Sequence, residues 1–403
     1  MAVTRTDPLG YLTAEIDELK AASLYRPLVV MDGPQAPRTT MNGRPVISLS
    51  SNNYLGLATH PHLVEAALKA VRELGVGSGA VRTIAGTMSI HEELEQRLAA
   101  FKHVEATLVF QSGFTANSGV IPTITTEDDL IVSDELNHAS IIDGVRLSRA
   151  SRAVFPHKDV DGLDAVLRDA RAKGGARGPY RHLLVITDGV FSMDGDIAPL
   201  PGICEAAERY GAAVMVDDAH ASGVLGRNGR GTIDHFDLHG RVDIQVGTLS
   251  KAVGVLGGYV AGPQQLRDYL VQRARPVLFS TSHPPAVAAA CLAAIDVLER
   301  EPERIERLWQ NTRFFKQGLA DLGFDTGISE TPITPVMCGQ AATAQQMARR
   351  LFELGVFATS VVYPTVALDK ARIRTIVSSE HSHDELQQCL EAFATAGREL
   401  KLI

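Results

Sequence analysis

Val214-Met215-Val216-Asp217-Asp218-Ala219-His220 is an apolar run that closes on an acid, with a histidine three residues further on. One strand-like run later comes Thr248-Leu249-Ser250-Lys251-Ala252-Val253-Gly254, which sets a lysine in a turn of small residues. Outward from these two stretches, short apolar runs recur at 106–111, 130–133, 153–155, 183–187, 212–216 and 244–246. They are separated by amphipathic stretches with helical spacing, such as 91–101. This alternation predicts an α/β fold: a large, mostly parallel sheet covered by helices on both faces. In such a sheet ligands collect at the carboxyl ends of the strands, where Asp217, His220 and Lys251 fall.

An acid at a strand end and a lysine among small residues are what pyridoxal phosphate requires. The lysine amine forms a Schiff base with the cofactor's aldehyde, and the carboxylate keeps the pyridine nitrogen protonated so that the ring accepts an electron pair. His220 is placed to meet the ring's phenolic oxygen. Gln111-Ser112-Gly113-Phe114-Thr115-Ala116-Asn117 follows an apolar run and opens a helix, so the backbone amides of Ser112, Gly113 and Phe114 form a phosphate cradle. His138 follows another run, where its ring can stack on the cofactor, and Ser192 follows a third as a hydrogen-bond donor. Three strand ends thus converge on one site.

At 403 residues and 45% hydrophobic content the chain exceeds one ordinary domain. The pattern divides it into an N-terminal helix and extension (1–52), a large cofactor-binding domain (53–285) and a smaller α+β C-terminal domain (286–403). Apolar positions at Leu12, Ile16, Leu19 and Ala22 give the extension a leading helix that packs on something else, and 173–179 reads as a flexible surface loop. A formal net charge of −8 supplies no diffuse basic field, which argues against nucleic acid as a partner. Four scattered cysteines without CxxC pairing suggest neither a metal site nor a disulfide framework and fit a reducing cytoplasm. The acidic N-terminus lacks a signal-peptide core, and no apolar stretch reaches membrane-spanning length, so a soluble cytoplasmic protein with no membrane partner is expected.

Ser51-Asn52-Asn53-Tyr54-Leu55-Gly56-Leu57, Asn137-His138-Ala139-Ser140, Val190-Phe191-Ser192-Met193-Asp194-Gly195, Val216-Asp217-Asp218-Ala219-His220 and Thr248-Leu249-Ser250-Lys251 together resemble the α-oxoamine synthases, collinearly across nearly the whole chain. The resemblance implies the fold-type I aminotransferase architecture, a homodimer with active sites shared between subunits, and condensation of an amino acid with an acyl-CoA. Carried onto matching positions, it implies that Lys251 holds the cofactor, Asp217 pairs with the pyridine nitrogen, His220 and Ser192 contact the phenolic oxygen, and His138 stacks on the ring. It further implies that Ser112, Gly113, Phe114 and Thr248 hold the phosphate, with Thr281 reaching in from the partner subunit. Arg374, helped by Asn52, falls at the position that binds the amino acid carboxylate, a role that suits a guanidinium fork. Strand alternation alone puts Arg372 and Arg374 on one side and leaves both open.

Within the family, Asn53, Asp188-Gly189, the run 134–147 and Gly79-Ala80-Val81-Arg82 point to the glycine C-acetyltransferase branch. The expected reaction is then glycine plus acetyl-CoA giving 2-amino-3-oxobutanoate, a threonine-breakdown step, with Arg82 among the substrate contacts. Ser280-Thr281-Ser282-His283-Pro284-Pro285 pulls towards the biotin-pathway branch, 8-amino-7-oxononanoate synthase, which condenses alanine with pimeloyl-CoA and releases carbon dioxide. That branch stands as the alternative, and a relaxed acyl-CoA range is expected.

Overall fold

The computed structural model describes residues 7–403, so the first six residues of the predicted N-terminal segment lie outside the described residues. The predicted apolar runs form strands of a seven-stranded sheet, in the order Ala106–Phe110, Gly258–Gly262, Ile244–Thr248, Ala213–Asp217, Leu183–Asp188, Leu130–Asp134, Ser151–Phe155. The last five are parallel, while Gly258–Gly262 runs antiparallel to both of its neighbours. That strand is absent from the sequence reading because its bounding glycines mimic a turn. Packing demands the first of them: a β-carbon on Gly258 would lie 2.4 Å from the backbone of Ser112.

Alternate residues of the central strands feed opposite layers. Val185, Val214 and Val216 pack with Leu163, Leu167 and Ile203 of the helices Val160–Lys173 and Leu200–Arg209. Leu184, Ile186 and Met215 pack instead with Ala116, Val120 and Ile141 of the helices Gly113–Ile124 and Ala139–Leu147. Burial on both faces is why Leu183–Asp188 reads as a continuous apolar run rather than an alternating one. The helices Pro61–Leu74, Ser89–Lys102 and Pro285–Arg300 contribute Leu63, Leu94, Leu98 and Ala294 to a core that also takes in Val109 and Ala261.

Beyond Arg300, the helices Glu303–Asp321, Ala341–Glu353 and His383–Glu399 accompany a three-stranded antiparallel sheet in the order Ile333–Gly339, Ala371–Ile376, Thr359–Val361. The strands Arg38–Met41 and Arg44–Ser48 form a small sheet with Val356–Phe357, tying the N-terminal extension to the C-terminal part of the chain. The leading helix, Tyr11–Ala21, buries none of its residues. No described helix is long and apolar enough to cross a membrane.

One buried ion pair fixes the turn that carries the key acid. Asp218 takes the N–H and hydroxyl of Thr232 and lies 3.1 Å from Lys102 Nζ, which also donates to the Arg230 carbonyl. Lys102 is 1% exposed and Asp218 fully buried. Lys102→Met leaves a buried carboxylate without its partner and is expected to cost about 3–5 kcal/mol, read as a lowered denaturation midpoint of the cofactor-free protein. An unchanged midpoint would show that the pair does not hold this turn.

Candidate active site

Asp217 closes the strand Ala213–Asp217 with both oxygens engaged. Oδ2 accepts the Asn117 side-chain amide at 2.6 Å and Oδ1 accepts the Ala219 N–H at 2.9 Å. Asn117 sits one turn into the helix Gly113–Ile124 and also donates to Ser140 Oγ at 2.9 Å. It therefore joins the phosphate-type turn, the His138 turn and the acid. The sequence reading quoted Asn117 without giving it a role, and its only signal was an amide on the helix that the turn opens.

Lys251 is partly buried in a turn just past the strand Ile244–Thr248. Loss of hydration pulls its amine down to about 8, against the upward pull of Asp217 and Asp188, while Arg374 pushes the same way as burial. His138 caps the helix Ala139–Leu147, with Nδ1 2.7 Å from Ser140 Oγ. Burial lowers its pKa, with the charge of Lys251 adding to the effect and Asp217 opposing it. His220 is buried, and its Nδ1 lies 2.8 Å from Tyr54 Oη. Burial, then Lys251 and Arg374, hold it well below the ordinary histidine range. Burial also raises the Tyr54 phenol, which therefore keeps its proton.

The phosphate-type turn is built as predicted around a capped helix start. Ser112 Oγ accepts the Thr115 N–H at 3.1 Å, and Thr115 Oγ1 accepts the Ser112 N–H at 2.9 Å. The Gly113 and Phe114 amides lie in the first helical turn, where no intrahelical acceptor exists. Gly113 lies against Thr248, whose hydroxyl bonds Ser250 Oγ at 2.7 Å. The chain's own Thr281 is exposed, its carbonyl taking the Gln111 side-chain amide at 2.9 Å.

The two arginines of the strand Ala371–Ile376 separate cleanly. Arg372 is neutralised by Asp194 at 2.5 Å and also donates to the Met193 and Lys370 carbonyls. Arg374 donates to the Ser192 carbonyl at 2.5 Å and pairs with no carboxylate among the described residues; burial works against its charge, with Tyr54 as its compensating partner. Arg82, expected among the substrate contacts, is committed elsewhere. Its guanidinium forks onto Glu95 at 2.7 and 3.3 Å, a buried carboxylate that also takes Arg267 and the Val109 N–H.

Pyridoxal phosphate fits this set. An amine of lowered pKa, a braced carboxylate, a helix start with free amides and an unpaired guanidinium face one region. Two amide oxygens at the phosphate-type turn, Gln111 Oε1 and Asn117 Oδ1, are buried without a hydrogen-bond partner, as is Asn52 Oδ1, which occurs where a further polar group completes a site.

Comparison with known proteins agrees. Residues 44–393 match the family model for class I and II aminotransferases. The chain is 61% identical over 393 residues to the 8-amino-7-oxononanoate synthase of Symbiobacterium thermophilum, covering 98% of this chain and 99% of that one. It is 55% identical to 8-amino-7-oxononanoate synthase 1 of Bacillus subtilis, over 99% and 100% of the two chains. A serine palmitoyltransferase from S. paucimobilis, solved with a bound PLP–myriocin aldimine, superposes with a TM-score of 0.92 at 32% identity, over 99% and 100%. An 8-amino-7-oxononanoate synthase from Francisella tularensis gives 0.74 at 28%, over 88% and 98%.

These relatives overturn the glycine C-acetyltransferase expectation and, with it, the threonine-breakdown assignment. Of the residues behind that expectation, Asn53, Arg82 and Asp188 are engaged by other groups of the protein. Asn53 donates to the Gln35 carbonyl and accepts the Ala58 N–H, Arg82 binds Glu95, and Asp188 accepts the His138 N–H. The chain belongs to the class I and II aminotransferase family and, within it, to the pyridoxal-phosphate-dependent α-oxoamine synthases.

Proposed function

We propose that the protein is an 8-amino-7-oxononanoate synthase, joining alanine to pimeloyl-CoA with release of CoA and carbon dioxide on the way to biotin. The observation that carries this is the 61% identity, across 98% of the chain, to a relative of that name. A cavity of about 400 Å3 beside Ser192 supports a long acyl group over a two-carbon one. Leu136, Met193, Ile328, Met337 and Val366 line it together with the charged Asp194, Asp325, Lys370 and Arg372.

Bound pyridoxal phosphate supplies an electron-accepting ring. Lys251 Nζ attaches the cofactor and, once freed, takes the Cα proton of the amino acid; its lowered pKa leaves an appreciable neutral fraction near neutral pH. Asp217 faces the pyridine nitrogen, its two N–H donors fixing where its charge sits. Tyr54 donates to His220 Nδ1, which leaves the Nε2 hydrogen of His220 for the phenolic oxygen. Ser192 would meet the same oxygen. His138, held neutral by burial, stacks on the ring without bringing a charge to it. Ser112, Gly113, Phe114 and Thr248 hold the phosphate, with Thr281 of a second copy completing it in a homodimer. Arg374, which has no carboxylate of its own, orients the amino acid carboxylate with Asn52. The four free, buried cysteines suit a reducing cytoplasm.

CoA release assayed with alanine and glycine across acyl-CoA lengths tests the assignment. Alanine with pimeloyl-CoA is expected to give the highest kcat/KM, and preference for glycine with acetyl-CoA would refute it. Lys251→Ala should lower turnover by about 100- to 10,000-fold and abolish the cofactor band attached to the protein. Arg374→Ala removes a charge-assisted contact of about 1.5–3 kcal/mol and should raise KM for the amino acid roughly 10- to 150-fold. A rise in KM for the acyl-CoA alone would reassign this arginine. Only neutral Lys251 attacks the aldehyde, so cofactor loading of the apo-protein should speed up with rising pH and level off above about 8. Stopped-flow absorbance checks this, and a plateau reached only near the ordinary lysine value would show that burial does not tune the amine.

A further inference from the structure

Asp188 ends the strand Leu183–Asp188 and pairs in register with Asp217 on the neighbouring parallel strand. Register partners on adjacent strands project to the same face, so two buried carboxyl groups stand side by side at the site. They are not equivalent. Asp217 has an N–H donor on each oxygen, whereas Asp188 accepts one hydrogen bond, from the His138 N–H to Oδ2 at 2.7 Å.

That single bond belongs to a clamp. Asn137 Oδ1 accepts the Asp188 N–H at 2.8 Å, and the Asn137 amide donates to the Ile186 carbonyl at 2.8 Å and to Ser133 Oγ at 2.9 Å. The turn that carries His138 is thereby laced to the strand beside Asp217. Sequence reading noticed Asp188 only as a marker of family branch, and the mechanism above gives it no role.

We propose that Asp188 is a second, proton-bearing carboxyl group of the site, which positions His138 over the cofactor while adding no negative charge beside Asp217. Two adjacent buried carboxyl groups do not both ionise cheaply, and the one with fewer donors keeps the proton. Four neighbours set the balance. Burial and the charge of Asp217 push Asp188 well above the usual carboxylate range, with Asp134 adding to this, while the His138 N–H and Lys251 pull the other way. A single net charge then faces the pyridine nitrogen, and the Asp188 oxygen that meets the His138 N–H needs no charge to accept it.

The inference rests on the assignment of Asp217 and His138 to the cofactor, but its first test does not. Infrared spectra of the apo-protein near neutral pH should show the carbonyl stretch of an un-ionised carboxyl group, and Asp188→Asn should remove that band. Absence of the band in the wild type, or its persistence in Asp188→Asn, overturns the protonation claim whether or not the cofactor assignments hold. The second test concerns positioning in the holoenzyme. Asp188→Ala loses the acceptor for the His138 N–H and should lower kcat/KM about tenfold, and Asp188→Asn, which keeps a neutral oxygen there, should recover most of that loss. The pH at which the bound cofactor's absorbance titrates should also move by less than about 0.3 unit in Asp188→Asn. A shift of about one unit or more would show that Asp188 had been charged, and an Asp188→Ala enzyme equal to the wild type would remove its positioning role.

Discussion

Asp217 Oδ2 takes the Asn117 amide at 2.6 Å while Oδ1 takes the Ala219 N–H at 2.9 Å, and the other groups of the site are placed relative to that fixed carboxylate. Each donor reaches a different layer. Ala219 belongs to the turn that ends the strand, and the residue just before it, Asp218, is buried against Lys102. Asn117 belongs to the helix whose first turn is the proposed phosphate cradle, and through Ser140 it reaches the helix that His138 caps. A displacement of Asp217 would therefore be felt at the phosphate turn, at His138 and in the sheet together. Rigidity here has chemical value, because a braced carboxylate loses no energy to reorganisation when charge develops on the group it faces.

Much of this was legible in the sequence because parallel sheets write their function at strand ends. Runs buried on both faces read as unbroken apolar segments, and the polar residue that stops a run marks the carboxyl end: Asp217 stops one, and Ser192 and His138 each follow four residues after another. Gly258–Gly262 was not, since its composition is that of a turn and the need for glycine there comes from Ser112, far away in sequence. Asn117 was missed for a related reason. An asparagine inside a helix start carries no periodic signal, and its importance appears only when Asp217 and Ser140 close on it.

The choice between Arg372 and Arg374 was invisible for a deeper reason. Two arginines two apart on a strand share a face, and only their partners tell them apart. Asp194 neutralises one; the other meets only a carbonyl and a phenol. The branch of the family was misjudged by a similar route. Asn53, Asp188 and Arg82 sit in the motifs that suggested the other branch, yet each is spent on holding backbone or on a buried counter-charge. The cavity proposed for the acyl chain is lined near Met193, Met337 and Val366, where single substitutions leave no motif.

The charges of the site explain why it can be empty of substrate and still be stable. Lys251 and Arg374 are both cationic groups in low-dielectric surroundings, and Asp217 is a carboxylate that acts on Lys251. One negative charge against two positive ones leaves the site short of an anion. Burial answers part of that deficit by making Lys251 easier to deprotonate. The remainder falls on Arg374, whose charge burial opposes and the Tyr54 hydroxyl compensates. In the proposed role of Arg374, a substrate carboxylate arriving there relieves an existing imbalance instead of creating a new one, which would favour amino acids over amines of the same shape. A second ionised acid at Asp188 would weaken that preference by supplying the missing charge internally, so a neutral Asp188 and an unpaired Arg374 are two sides of one electrostatic arrangement.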